Sequence, residues 1–427
     1  MQILKNIFIV ALLVFPNFGF AQTKDLLFYQ TSAAQNNAAI KENKNLKQFN
    51  LLQKDLQTAQ IKKPQISVSA DYLLAPYFFN NNQFISVSQN PEKKSFGYDN
   101  AITNGGLYAA QLNANLPLLN GGLLKSYNDL NNIQNQLAQN NIDQTVHDLF
   151  KIVSDQYVAV YQLQLQINNQ EKIIDLVQNR KKIAEELVKN GLMQNNDYLL
   201  LEIQIKQRKY EVQQLRISLS TSFNLLNNSC GVADSSLYQL DIPEFILTQK
   251  LDNFKIKQKF ELDSNAIAKQ QMVVNTKYKP QLVAFGNTGL NAIEVNNIAH
   301  KIGVSAGLHL SIPLYDGGQK KIVAQQNKIL IDNLYQFKNQ NQTAINNNFA
   351  TLNQQIDLTK KSIDMINSQL LDQETLLQII KNKVVIGQIS VTDYLNAIQD
   401  YATANQNKIY AQTNLWLLIN QFNYTNW

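Results

Sequence analysis

In three stretches of the chain, apolar residues alternate with polar ones at every second position. Ile66, Val68, Ala70, Tyr72 and Leu74 share one face, with Ser67, Ser69 and Asp71 on the other. Tyr108, Ala110, Leu112, Ala114 and Leu116 alternate with Ala109, Gln111, Asn113 and Asn115. Ile302, Val304, Ala306, Leu308, Leu310 and Ile312 alternate with Gly303, Ser305, Gly307, His309 and Ser311. This period of two predicts strands. A fourth is expected from Leu282 to Leu290, where Val283 and Phe285 break the pattern. Strands of about ten residues with one lipid-compatible face and one polar face suit a transmembrane barrel. A half-buried soluble sheet gives the same alternation.

Between these stretches the period changes. From Leu123 to Asn190 there is no proline and no glycine. Val146, Leu149, Val153, Val160, Leu163, Ile167, Ile174, Val177 and Val188 fall on the a and d positions of one heptad frame. Ile345, Phe349, Ile356, Ile363 and Leu370 hold the same frame later in the chain. Sustained heptads predict coiled-coil packing. A run of about 67 residues makes a rod of roughly 100 Å, more than a single globular domain contains. That rod tips the balance from a soluble sheet toward a barrel. Gly191 and Gly387 suit helix C-caps. After each, a second helix is expected to return, to about Asn228 and Asn420.

The landmarks recur in order. Lys63-Pro64-Gln65 returns as Lys279-Pro280-Gln281, and Leu116 to Gly122 returns as Ile312 to Gly318. Gly191 followed by Asp197-Tyr198-Leu199 returns as Gly387 followed by Asp393-Tyr394-Leu395. Such an ordered set predicts an internal two-fold repeat. The first repeat is residues 22–230: a helix, a β-hairpin at 64–117 and a helical hairpin at 122–228. The second is residues 231–427: a linker and helix, a β-hairpin at 280–313 and a helical hairpin at 318–424. The loop of the first β-hairpin, Asn80 to Asn104, is much longer than its counterpart near Val295. Long loops at one end and tight connections at the other are usual in outer-membrane barrels.

Four strands do not close a barrel, because closure begins at about eight. An open edge in lipid leaves backbone groups unpaired. The chain must therefore oligomerise if it crosses a membrane. Two copies give eight strands and three give twelve, and the pattern does not choose.

The amino-terminal residues predict export from the cytoplasm. Lys5, an apolar run from Ile7 to Phe15 and the small residues of Gly19-Phe20-Ala21 predict a signal peptide of residues 1–21. No later segment approaches the about 20 apolar residues of a membrane helix.

Composition excludes more than it suggests. Cys230 is the only cysteine, and the three histidines, His147, His300 and His309, are scattered. Neither a disulfide nor a metal cluster is expected, and no cofactor. The net charge of +6 is spread over a chain rich in Asn and Gln, with only Arg180, Arg208 and Arg216 as arginines. A nucleic-acid surface would cluster its cations. Gly303-Val304-Ser305-Ala306-Gly307 fits the pattern of a hydrolase nucleophile elbow, which needs a sharp strand-to-helix turn. Alternation runs straight through it, so an enzyme is not expected, and the two glycines are read as leaving room inside the barrel.

The duplicated Pro-Leu-(Leu/Tyr)-(Asn/Asp)-Gly-Gly motif is carried by Pro117, Gly121 and Gly122, and again by Pro313, Gly317 and Gly318. With Gly-x5-Asp-x-Leu at each helical turn, it resembles the TolC family of outer membrane efflux proteins. The resemblance implies a mixed α and transmembrane β fold. Each chain would give four strands to a trimeric twelve-stranded β-barrel, continued by a long antiparallel α-helical coiled-coil tunnel in the periplasm. It implies a passive exit duct of a tripartite efflux or type I secretion system in the outer membrane. Its partners would be a periplasmic adaptor protein and an inner-membrane pump. Gly191, Gly387 and Ser390 would mark the helical turns that dock the adaptor. Asp197, Asp393 and Asn396 would narrow the periplasmic mouth, Asn396 standing where some members carry a second acid. Asp197 matches an acid that in those members accepts bonds from an arginine and a tyrosine. Here those donor positions hold Ile389 and Val384. The residues alone also support a structural role for Asp393, since Ser390-Val391-Thr392-Asp393 reads as a helix cap. A reading from another class is a periplasmic coiled-coil structural or adaptor-like protein.

Overall fold

The computed structural model describes residues 24–88, 91–97, 106–249, 254–292, 295–385 and 388–427. The expected signal peptide, residues 1–21, and Gly387 lie outside the described residues. The chain divides into two compact units, each built from separated segments.

One unit comprises Glu42–Asp143 and Asn253–Thr343 and contains the sheet. Strands β1 (Gln65–Leu74), β4 (Gly106–Leu119), β5 (Gln281–Ala292) and β6 (Ile302–Ser311) pair antiparallel in the order β1-β4-β5-β6. The register sorts the side chains by polarity. Val68 lies opposite Leu112, Leu112 opposite Thr288, and Thr288 opposite Val304. Ser67, Asn113, Asn287 and Ser305 line up in the row beside it. On that polar face Asn113 donates to Ser69 Oγ at 2.8 Å, and Ser305 Oγ donates to Asn287 at 2.7 Å. Val283 and Phe285, which broke the alternation, sit on the polar face beside His309 and Gly307. Phe285 lies over Gly307, where a Cβ would come within 2.6 Å of its ring. The room expected at Gly307 is thus filled by a cross-strand aromatic ring. At Gly289 (φ 144°) a Cβ would stand 2.3 Å from the Ala110 carbonyl oxygen, so only glycine lets β4 and β5 approach there. The segment Gly303–Gly307 runs inside β6 with no turn into a helix.

The long first loop carries structure of its own. β2 (Tyr77–Asn80) and β3 (Gln83–Ser86) form a two-stranded antiparallel hairpin. Helices of this unit attach to one another through polar pairs. Lys255 and Lys269 of α5 (Phe254–Thr276) meet Asp143 and Asp129 of α3 (Leu123–Lys189) at 2.7 and 3.0 Å. Asn131 of α3 donates to Gln57 of α2 (Ala38–Lys62) at 2.7 Å.

The second unit comprises residues up to Lys41, Gln144–Asp252 and Ala344–Trp427. It holds α1 (Leu26–Asn36), most of α3, α4 (Asn195–Cys230), most of α6 (Gln319–Val385) and α7 (Val391–Thr425). Helices α3 and α6 are each 67 residues long. The heptad positions Val153, Val160, Ile174 and Val177 are buried, as are Ile345, Phe349, Ile356, Ile363 and Leu370. Helix α3 also buries Tyr157, Ile173 and Ala184, more than a two-stranded seam needs, because α1, α4 and α7 all pack in this unit.

The extended segment after α4 is tied to α3. Tyr157 donates its hydroxyl to the carbonyls of Asp241 (2.8 Å) and Lys24 (3.1 Å). Gln164 donates to Tyr238 O and accepts from Leu240 N–H. Burial pushes the Cys230 thiol up to about 12, which keeps it in the unreactive protonated form. The His147 imidazole lies between the rings of Tyr424 and Trp427, at 4.7 and 4.5 Å and within 11° of parallel to both. Its Nε2–H donates to Tyr424 O at 2.8 Å, and Tyr424 Oη donates to Asp148.

Candidate functional site

The helical turns are shaped by backbone chemistry first. Helix α3 ends at Lys189, and Gly191 adopts φ 71°, which a left-handed C-cap requires. Gly191 N–H reaches Val188 O at 3.0 Å, and Leu192 N–H reaches Leu187 O at 2.8 Å, satisfying carbonyls the helix end would leave free. Past the second turn, Gln388 N–H reaches Lys383 O in the same five-residue span.

The two returning helices start differently. Helix α7 is capped by Ser390, whose Oγ accepts from Asp393 N–H at 3.0 Å and donates to Asp393 Oδ2 at 2.7 Å. Asp393 is therefore a capping partner as well as an exposed acid. Helix α4 begins after Gln194, whose side chain makes no cap bond, and Asp197 stands half-buried in the first turn, where the helix dipole favours its charge. Asn396 is exposed one turn into α7. Ser390 and Asp393 are thus in direct contact, while no hydrogen bond joins either of them to Asp197 among the described residues.

Apolar packing fills the space behind the turns. Val177, Ala184, Leu201, Ile205, Val384, Val391, Tyr394 and Ile398 form one buried cluster, and Met193 and Ile389 pack against it. Val384 and Ile389, at the positions where the resembling family places donors, are members or neighbours of this cluster.

A cation sits there that sequence reasoning did not assign. Arg180 is 3% exposed. Its Nη2 donates to Val384 O at 3.1 Å, and Nε and Nη1 have no partner among the described residues. Burial lowers its pKa, opposed by the nearby Tyr394 and Asp197. Arg208, also buried, donates to Gln170 at 2.9 Å and Gln399 at 2.8 Å, joining α4 to α3 and α7. Arg216 pairs with Glu171 at 2.7 Å. All three arginines of the chain thus cross-link helices of this unit. Their rarity was the available signal.

The strand-to-helix motif is a second built feature, in the sheet unit. Gly121 and Gly122 have φ 60° and 83°, Gly317 and Gly318 φ 67° and 81°. Two consecutive left-handed residues turn the chain from strand to helix, a conformation other side chains resist. Asp316 accepts from Lys320 N–H at 2.8 Å and Gly318 N–H at 2.9 Å, so its pKa is lowered, chiefly by the Lys320 bond. Pro117 lies inside β4 where the register shifts, which accommodates its missing N–H. Pro313 follows the end of β6.

These features set the frame for comparison. Residues 257–416 match the outer membrane efflux protein family. The efflux-protein fold also covers most of the chain. The outer membrane protein VceC from Vibrio cholerae superposes with a TM-score of 0.70 at 12% identity, over 94% of this chain and 96% of VceC. The CmeC outer membrane channel of Campylobacter jejuni gives 0.68 at 13% identity, over 94% of this chain and 85% of CmeC. The MtrE outer membrane channel of Neisseria gonorrhoeae, solved in its open state, gives 0.69 at 12% identity, over 94% and 88%. No curated protein sequence matches. The fold is therefore that of outer membrane efflux channels. No helix among the described residues is long and apolar enough to cross a membrane, and no group of metal-ligating side chains occurs among them.

Proposed function

We propose that this chain is the outer-membrane exit duct of an export system, assembled from three copies. Each copy would contribute four strands to a twelve-stranded barrel and two helical hairpins to a periplasmic tunnel, the two halves of the chain acting as structural repeats. Transport is passive, driven by an inner-membrane pump and reached through a periplasmic adaptor at the Gly191 and Gly387 turns. Asp197, Asp393 and Asn396 would line the narrow periplasmic mouth.

One observation carries this reading. The sheet has an apolar face that is exposed along both of its edge strands, β1 and β6, with Val68 and Val304 about four-fifths exposed. Lipid accepts such a face, and a second copy supplies the hydrogen bonds the open edges lack. The helices support it. Ile203, Tyr210 and Ile217 recur every seven residues on α4, and Leu358, Met365 and Ile379 fall on one seven-residue frame of α6, with Asp372 at the position between the last two. All six are exposed apolar residues, seams of the kind that a neighbouring helix fills.

Mass measurement of the detergent-solubilised protein, corrected for bound detergent, tests the assembly. A trimer extracted only by detergent is expected. A monodisperse monomer released by a salt wash would overturn the duct and favour an adaptor-like coiled-coil protein.

A further inference from the structure

Lysines gather at one end of the sheet, where nothing in the export reading uses them. All four strand–helix junctions lie there, because β1 and β5 begin at the edge where β4 and β6 end. Gln65 is opposite Asn115, Leu282 opposite Leu119, and Gln281 opposite Ser311. Lys62 and Lys63 precede β1, and Lys277 and Lys279 precede β5. Lys125 follows β4, and Lys320 and Lys321 follow β6. All seven are exposed, and none pairs with an acid among the described residues. Adjacent junctions touch: a Cβ on Gly121 would stand 2.5 Å from Lys279 Cβ. Lys320 Nζ lies 5.9 Å from the centre of the Tyr278 ring, and both line a groove with Lys321, Leu314 and Tyr315.

Few acids balance these cations. Within ten residues of a junction lysine along the chain stand only Asp55, Asp71, Asp129 and Asp316. Asp129 is held by Lys269 at 3.0 Å, and Asp316 by the N–H groups of Gly318 and Lys320. Asp55 lies two helical turns before Lys62. Asp71 lies on the polar face of β1, about 20 Å along the strand from Gln65. The loops at the opposite end of the sheet, residues 75–105 and 293–301, hold three acids and three lysines. Position and charge together identify the partner. The ten residues of β6, tilted by about 40°, rise about 25 Å, the height of the apolar band of a membrane barrel. The exposed apolar face that ends at the junctions is the one lipid tails would cover, so the lysines stand at headgroup level. Their stems carry charge outward along apolar surface, and exposed lysine clusters at a bilayer boundary attract anionic headgroups. Closing the barrel would also bring the Lys320–Lys321 pair of one copy beside the Lys62–Lys63 pair of the next. These like charges repel unless an anion lies between them.

We propose that these lysines form a collar that binds the phosphates of anionic phospholipids in the periplasmic leaflet, most densely at the seams between copies. This rests on the membrane-spanning trimer reading above. The full-length protein, reconstituted in phosphatidylcholine bilayers with a trace of nitroxide-labelled phosphatidylglycerol or phosphatidylcholine, tests it through the motionally restricted fraction of each label. Association of phosphatidylglycerol is expected to exceed that of phosphatidylcholine several-fold at about 0.01 M salt. The two should converge at about 1 M, where the Debye length has fallen from about 30 Å to about 3 Å. Lys62→Gln, Lys63→Gln, Lys320→Gln and Lys321→Gln together should remove most of the preference with the trimer mass unchanged, and arginine at the same four positions should keep it. Lys93→Gln with Lys94→Gln, at the opposite end of the sheet, should leave it as in wild type. Equal association of the two lipids with wild type overturns the collar, as does a preference that survives the four glutamines. If the four glutamines instead reduce anion passage in reversal-potential measurements and wild type shows no lipid preference, the lysines face the lumen and the collar is refuted. No restricted lipid with either label removes the membrane reading itself, and the collar with it.

Discussion

The turn of the helical hairpins offers a direct contest between apolar and polar closure, and Ile398→Ala set against Asp197→Ala decides it. Ile398 is 1% exposed within the cluster that joins Leu201, Val384, Val391 and Tyr394. Truncating a fully buried isoleucine to alanine costs about 2–5 kcal/mol, from lost burial and the cavity left behind. At about 3 kcal/mol, the equilibrium holding the two hairpins together shifts by roughly a hundredfold. Asp197 makes no side-chain hydrogen bond among the described residues, and α4 is capped by neither it nor Gln194. Its removal forfeits a helix-dipole interaction of about 0.3–1 kcal/mol, a change of about fivefold at the upper end, together with its attraction to the buried Arg180 cation. Single-channel recordings in planar bilayers, with wild type and both variants at one salt concentration, read the outcome as open probability and conductance. Ile398→Ala is expected to leak and Asp197→Ala to resemble wild type, with Ile398→Val in between. If Asp197→Ala leaks as much as Ile398→Ala, a polar latch closes the turns and apolar packing does not.

Four further outcomes follow from the same unit. Replacing Arg180 by Met removes a buried cation with two unpartnered nitrogens; thermal melts should show unchanged or higher stability, by up to about 4 kcal/mol, whereas Arg180→Ala should lose stability to the cavity it leaves. Ser390→Ala removes the cap of α7 and should cost about 1 kcal/mol in a denaturant titration, while Asp393→Asn should reduce cation preference in reversal-potential measurements if that acid faces the pore. Burial lowers the pKa of His147, against the opposing pull of the Tyr424 carbonyl and Asp148. The unfolded chain therefore binds a proton first, so stability is complete above the ordinary value near 6.5 and is lost as pH falls through it toward the lower folded value. Melts from pH 8 to pH 5 should show that loss in wild type and its absence in His147→Phe.

How far the sequence reached depended on whether a feature had a side-chain period. The alternation from Ile66 to Leu74 and from Ile302 to Ser311 marked β1 and β6, because each strand turns apolar side chains to one face and polar ones to the other. The absence of proline and glycine after Leu123 placed the end of α3 within a residue. Phe285 broke the alternation of its strand because its ring is accommodated by Gly307 on the strand beside it, a relation between positions that no single-strand pattern contains. The hairpin β2–β3 was read as loop: its turn uses Phe79, Asn81 and Asn82 at positive φ, and an aromatic residue there has no compositional signature. Ser390 and Asp393 were legible as a cap because the bond is local. Arg180 was not assigned, since it binds a backbone carbonyl two hundred residues away, and any residue type supplies a carbonyl.

The equal lengths of α3 and α6 restrict how this chain can change in evolution or in the laboratory. One residue added to α3 alone moves everything beyond it by 1.5 Å along the helix axis and turns it by 100°. The buried stripe that runs through Val153, Val160, Ile174 and Val177 would then face away from its partners. Seven added residues return that stripe to within about 20° of its starting direction. They still displace the turn at Gly191 by about two helical turns relative to the one that follows α6, unless α6 grows by the same amount and α4 and α7 lengthen with them. Length changes in this protein are therefore expected as matched sets of whole heptads, four helices at a time, while single insertions should concentrate in the Asn80–Asn104 loop and the segment after α4.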